Sequence, residues 1–262
     1  MKYSVRTRSE KTRAQARAKA RAQLRQLLLK KHKKCAISGW SNPLEIQMAH
    51  IIPKAIGHSI EYSDTDTETN CILLSNGLHA LFDNFRWTLD IFSFLDLNVE
   101  SDEYFRTTLL IKDPPPIGGS SISGCQNKLF NIPVQYFPSF YAHYYVYLQS
   151  NYTNRKDTVN MFQECVESPL FRDLKTLNTV TALKEYLLSK RKDDEWQRNQ
   201  PCTIILDHTA NKEGSLFKIL WHLWPLSYYT WEPRSNLSDS LYDQYEDYIE
   251  VLSDPDWTWT WT

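Results

Sequence analysis

His50, His79 and Asp83 are the side chains whose types and spacing most readily do chemistry together. His50 lies in the run Ile46-Gln-Met-Ala-His50-Ile-Ile-Pro53, which reads as a strand halted by the fixed φ and missing N–H of Pro53. A second short apolar run at 71–74, entered from Asn70, also reads as a strand. From Asn76 the period changes: Leu78, Leu81 and Phe82 fall at helical spacing behind an Asn cap, so His79 and Asp83, at i and i+4, share one helix face. Strand, loop, strand and helix, with a histidine at the first strand's end and a His/Asp pair on the helix, make a compact metal-site geometry.

Together, Cys35-Ala-Ile-Ser-Gly-Trp40, Ala49-His50-Ile-Ile-Pro53, Asn70 and His79-Ala-Leu-Phe-Asp83 resemble the HNH endonuclease superfamily, the ββα-metal finger nucleases, and within it the restriction-enzyme-like branch. The resemblance covers residues 35–95, under a quarter of the chain. It implies metal-dependent hydrolysis of phosphodiesters in duplex DNA, restriction-type, leaving 5′-phosphate and 3′-hydroxyl ends. His50 is then the general base, Asn70 the residue that pins the loop carrying it, and His79 with Asp83 the ligands of one divalent cation, Mg²⁺ before Mn²⁺. An imidazole of pKa about 6.5 suits the first role, and a hard cation on the scissile phosphate suits the last. Two departures stand out. Ala49 occupies the place where many relatives carry a further ligand, so water and phosphate oxygens must complete the shell, which Mg²⁺ tolerates. Where zinc-stapled relatives have Cys pairs, Cys35 is followed by Ser38, and Ser75 and Leu78 stand at the later pair, so no structural zinc is expected. The alternatives are a non-catalytic nucleic-acid-binding protein with a relict finger, and an RNase or toxin nuclease.

The elements around this segment differ sharply in charge. Residues 1–34 hold 13 Lys or Arg against one acid, leaving 17 basic and 30 acidic residues for the other 228. Such asymmetry is the footprint of a nucleic-acid contact at one end. Arg13, Arg17, Arg21 and Arg25 recur every four residues among helix-forming alanines, which lines up four guanidinium groups for phosphates. A solvated face or an Arg-rich organelle presequence are the competing readings. Leu24, Leu27, Leu28 and Leu29 form an apolar patch that predicts docking of this helix on the segment C-terminal to it. Lys54 is a further phosphate candidate, Asp64 and Asp66 read as loop acids without function, and His32 reads as solvated. His58 lies in the same loop; His143, His208 and His222 read as packed core histidines.

Residues 87–94 and 104–111 are rich in β-branched and aromatic residues and predict a hairpin attached to the nuclease segment. The breakers at 113–124 suggest the domain boundary. The division is therefore a basic helical arm at 1–34, a nuclease domain at 35–112 and an aromatic-rich mixed α/β domain at 125–262, the whole α+β in class. Helices are predicted over 155–167 and 170–192 and a strand over 201–206; no internal repeat or nameable motif is evident there. The aromatic density of 134–150 and 221–231 argues for a homodimer that cuts both strands of a palindrome, with an internal core as the rival account. Nine Trp, 15 Tyr and 42% hydrophobic residues exclude disorder over most of the length. No apolar run suits a membrane span or a secretory leader. Five scattered Cys without CxxC fit a reducing compartment, hence an intracellular, cytoplasmic protein, or a nuclear or organellar one in a eukaryote.

Overall fold

A long helix, α1 (Arg8–His32), begins the chain where the Ala/Arg-rich sequence predicts it. The structure, a computed structural model, describes residues 8–54, 66–111, 125, 128–149, 158–193, 204–211, 214–221, 223–225, 228–239, 241–243 and 245–246. Helix α1 ends where Lys33 adopts a positive φ of 59° and its N–H reaches Leu29 O at 3.0 Å. Lys30, Lys31 and His32 complement the negative end of its dipole. The helix docks through its one apolar stretch: buried Leu28, flanked by Leu24 and Leu29, packs on Ile46, Met48, Cys71 and Leu73.

Those residues belong to β1 (Ile46–His50) and β2 (Cys71–Ser75), an antiparallel pair in register from Ile46↔Ser75 to His50↔Cys71. Alternation along β1 puts Ile46 and Met48 on the face turned to α1, and Gln47 on the other. Helix α2 (Asn76–Asp83) follows directly. Its cap is Ser75 rather than the expected Asn76, whose N–H is already taken by Glu45 O at 3.0 Å. Leu78 and Phe82 are fully buried, which fixes the rotation of α2 and leaves His79 and Asp83 at the rim. Ahead of β1, the turn at 35–40 closes through Cys35 N–H to Trp40 O at 2.7 Å and Gly39 N–H to Cys35 O at 3.1 Å, with Gly39 at φ +73°. The Cys35 sulfur accepts the Ser38 N–H at 3.3 Å.

The chain divides into two compact units, Met1–Asn84 with Pro114–Cys125, and Phe85–Asp113 with Gln126–Thr262. This differs from the expected boundary, because strand pairing carries 87–111 into the second unit. Strand β3 (Trp87–Leu89) pairs with β5 (Leu109–Ile111), but β4 (Tyr104–Thr107) leaves to pair with β6 (Phe130–Pro133), beyond the breaker-rich segment. The expected hairpin is thus paired only at its outer ends, with a 3₁₀ turn at Ser93–Asp96 inside it.

Helix α3 (Phe137–Gln149) is the heart of the second unit: every side chain from Phe137 to Leu148 is buried. Phe92 meets Phe137, Tyr141 and Tyr144 edge-on at ring separations of 6.3, 6.4 and 5.3 Å. The 134–150 aromatics are therefore internal, and this part of the dimer argument falls with them. His143 is packed as expected, its Nδ1 2.9 Å from Thr88 Oγ1. The region expected as one helix from 170 to 192 is two, α5 (Pro169–Leu174) and α6 (Val180–Arg191), after α4 (Thr158–Glu167). Each of the two starts at its own cap: Ser168 accepts Phe171 N–H at 3.1 Å, and Thr179 accepts Ala182 N–H at 3.2 Å.

The predicted strand near 201–206 becomes β7 (Ile204–Asn211), the first of an antiparallel sheet in the order β7, β8 (Gly214–Leu220), β9 (Tyr229–Pro233). Ile205, Phe217 and Ile219 pack against Leu237 and Tyr245. Tyr229 and Trp231, alternate residues of β9, are exposed, and Lys218 Nζ stands 3.9 Å above the Tyr229 ring. His208, expected in a core, is exposed, with Nδ1 2.6 Å from Tyr245 Oη. His58, Asp64, His222 and the Trp-rich C-terminus lie outside the described residues. Among the described residues, no helix is long and apolar enough to cross a membrane.

Candidate active site

His50 is the last residue of β1 and is 7% exposed. Its Nε2 lies 2.9 Å from Asp66 Oδ1, and Lys54 Nζ pairs with the other oxygen of the same carboxylate. Nδ1 has no hydrogen-bond partner among the described residues. Burial pulls the His50 pKa below its ordinary value; the Asp66 hydrogen bond and charge oppose this, while Arg21 and Lys54 reinforce it. His50 is therefore neutral at neutral pH. Asp66 is held below the usual carboxylate range by Lys54 and His50, although its own partial burial works the other way. The neighbouring Cys71 thiol is pushed up to about 12 by burial and is neutral.

The segment leaving His50 is fixed by Asn70, which is fully buried. Its Oδ1 accepts Ile52 N–H at 2.8 Å, its Nδ2 donates to Ile52 O at 3.1 Å, and its own carbonyl accepts Ile51 N–H at 2.8 Å. A single amide side chain thus satisfies both backbone groups of Ile52, as a neighbouring strand would.

On α2, His79 Nε2 lies 3.3 Å from Asp83 Oδ2. His79 Nδ1 stands 2.7 Å from Gln47 Oε1, the exposed residue of β1. The amide oxygen can only accept, so Nδ1 carries a proton, and a cation held on Nε2 would take the lone pair that faces the carboxylate. An imidazole lone pair and a carboxylate oxygen this close are a suitable donor pair for one divalent cation, and the Gln47 contact is the outer hydrogen bond that ligating histidines usually make. Asp83 is half exposed, which leaves room for water and substrate oxygens. Among the described residues, no three His, Cys, Asp or Glu side chains converge as a metal cluster. Among the described residues, no hydrogen bond links the His50 group to the His79 group.

The arginine stripe divides in the structure. Arg25 is engaged within the fold: its Nη2 donates to Pro43 O at 3.1 Å and Ile46 O at 3.0 Å, anchoring α1 to the start of β1. One turn earlier, Arg21 is exposed and close enough for its charge to act on His50 and Cys71. Helix α1 therefore runs antiparallel to β1, with Arg21 toward the His50 end of the strand; the Arg13 and Arg17 side chains lie outside the described set. Lys54, expected at phosphate, is occupied by Asp66. His32, expected in solvent, is half-buried with its pKa drawn down, first by that burial. Lys31 at the end of α1 pairs with Glu68, a second tie between the helix and the β2 approach. Replacing Arg25 by Gln should lower stability by about 1–3 kcal/mol, the scale of hydrogen bonds from a charged donor, read as a lower urea midpoint. An unchanged midpoint would return Arg25 to the solvent-facing stripe.

Two residues that sequence reasoning left without a role, Asp66 and Gln47, make direct contacts with the two site histidines. The spacing of Gln47 from His50 placed it on the opposite strand face, a signal available from alternation alone. For Asp66, 16 residues after His50, no strand or helix period relates the two.

Comparison with known families gives two matches: the HNH endonuclease family over residues 35–90, and the Chromo (chromatin organisation modifier) domain over residues 204–248. The second falls on the β7–β9 sheet and the segment packed against it. Neither a curated protein nor a solved structure matched. The first covers the turn at Cys35, both strands and α2, with His50, Asn70, His79 and Asp83 inside it, and residues 35–90 are accordingly a segment of the HNH endonuclease superfamily.

Proposed function

We propose that the protein is a divalent-metal-dependent endonuclease acting on duplex DNA, of restriction type in the sense that it cuts at chosen sites. The observation that carries the reading is the pinned His50, with one ring nitrogen engaged by a carboxylate, in the same unit as the His79/Asp83 pair. His50 takes the proton of a water that attacks phosphorus, and Asn70 keeps the backbone after His50 from shifting as it does so. His79 Nε2 and Asp83 would hold one Mg²⁺ or Mn²⁺, which would supply positive charge for the phosphoryl group and the leaving 3′ oxygen. A phosphodiester is what would bridge the two groups.

The chain's other parts supply placement. Arg21, with Arg17 and Arg13 further along α1, would follow phosphates past the base, and the Chromo match favours a second unit that brings the nuclease to chromatin or nucleic acid. Nicking of supercoiled plasmid with Mg²⁺, absent in EDTA and outcompeted by duplex DNA better than by RNA, tests the reading. A chain that binds but never nicks would leave only a nucleic-acid-binding protein, and preferential RNA cleavage would make it an RNase.

Binding should weaken with salt at a slope of about −0.9 per neutralised phosphate. Changing Arg13, Arg17 and Arg21 together to Gln should flatten that slope by about two to three while preserving the preferred cleavage sequence, because phosphate contacts position without specifying. An unchanged slope in a salt titration would show that the stripe faces solvent.

A further inference from the structure

We infer that Asp66 is a positioning residue for His50, holding the imidazole with its proton on Nε2 so that Nδ1 is the atom that accepts the proton of the attacking water. The inference rests on the nuclease reading, and the geometry behind it is independent of that reading. Asp66 Oδ1 stands 2.9 Å from Nε2, and Lys54 pairs with Oδ2 of the same carboxylate. An ionised carboxylate can only accept hydrogen bonds, so Nε2 must carry hydrogen; otherwise two lone pairs would meet at that distance. A neutral imidazole has one N–H, which leaves the lone pair on Nδ1. Lys54 keeps Asp66 ionised, so the carboxylate stays an acceptor throughout and does not take the proton itself.

In the step this implies, a water O–H bond breaks as the Nδ1–H bond forms, and the hydroxide oxygen bonds to phosphorus. The bond from phosphorus to the 3′ oxygen breaks with its electron pair on oxygen, which takes a proton from solvent water. The imidazolium returns its Nδ1 proton to solvent, with Asp66 stabilising the cation while it lasts.

The two site histidines are engaged through opposite ring nitrogens by different partners. His79 gives Nδ1–H to the neutral Gln47 amide and turns Nε2 toward Asp83. His50 gives Nε2–H to a carboxylate, which raises its basicity against the burial that lowers it. The charged and titratable groups bearing on His50 are Arg21 from α1, Lys54 and Asp66 beside it, and Cys71 opposite it on β2. Of these, Asp66 raises its pKa, Arg21 and Lys54 lower it, and Cys71 is uncharged.

Two substitutions test this with opposite signs. Asp66→Asn removes the group that raises the His50 pKa, so the acid limb of kcat/KM against pH, which reports the base in the free enzyme, should move to lower pH while the plateau falls by roughly 10²-fold or more. Lys54→Met removes a cation that lowers it, so the limb should move to higher pH. General damage to the fold would not shift the limb in opposite directions. Independently of turnover, ¹⁵N shifts of the His50 ring in the full metal-free chain above the limb should show Nε2 protonated and Nδ1 bare, and a mixture in Asp66→Asn. Nδ1 protonated in the wild type, or an unmoved limb and plateau in Asp66→Asn, overturns the inference. A wild-type chain with the inferred tautomer that cuts no phosphodiester overturns the nuclease reading while upholding the hold of Asp66 on His50.

Discussion

His50→Ala should leave folding and DNA affinity near wild type and lower single-turnover cleavage by about 10²–10⁴-fold, the range for loss of a general base. The expectation of an intact fold comes from the neighbours. Asp66 keeps Lys54 when the imidazole is removed, so no carboxylate is left unpaired. The backbone after position 50 is held by Asn70 through Ile51 and Ile52, not through the histidine side chain. The β1–β2 register likewise depends on main-chain bonds and on Ile46, Met48 and Leu73 packed under Leu28. The variant should accordingly melt with the wild-type midpoint, retain its salt-dependent binding and lose its cleavage. Wild-type rates in the variant would remove His50 from the chemistry, whereas joint loss of binding and melting midpoint would assign it to the scaffold.

Local spacing made the core of this site legible. His50 ends a strand, and Asn70, His79 and Asp83 are spaced by one short strand and one helix, and regular segments convert sequence spacing into direction. Asp66 was not legible for the converse reason: no regular period in the sequence relates its carboxylate to His50, 16 residues earlier. Arg25 shows a second limit. Its i, i+4 relation to Arg21 fixed the helix face correctly, but the face does not say what stands opposite, and along one stripe the answer changes from backbone carbonyls at Arg25 to open surface at Arg21. The aromatic run in α3 shows a third, since composition registers the need for burial and not whether the same chain meets it. The second unit's sheet was the least legible. Only the β-branched opening of β7 carries a strong strand signal, whereas β8 and β9 are recruited by pairing with it.

Chelation should abolish cleavage, and Mg²⁺ or Mn²⁺ should restore it, because without the cation the charge developing on phosphorus and on the leaving 3′ oxygen would go unstabilised. His79→Ala or Asp83→Ala should each raise the metal concentration for half-maximal rate by about 10²-fold or abolish turnover, with Asp83→Ala the more severe for Mg²⁺. The ordering comes from ligand chemistry: hard cations favour oxygen, so the carboxylate supplies most of the attraction, while the imidazole nitrogen matters relatively more for Mn²⁺. With no third His, Cys, Asp or Glu converging on the pair among the described residues, deletion of either should leave a weakly held cation. The comparison that isolates the metal's role is a titration of each variant with both ions. Two curves that shift together for His79→Ala and Asp83→Ala, against unmoved curves for Arg25→Gln, place the cation between the α2 pair. Full activity in chelator, or an Asp83→Ala curve that superimposes on the wild type, would mean that the α2 pair is only a helix-surface ion pair and that the chemistry at His50 proceeds without it.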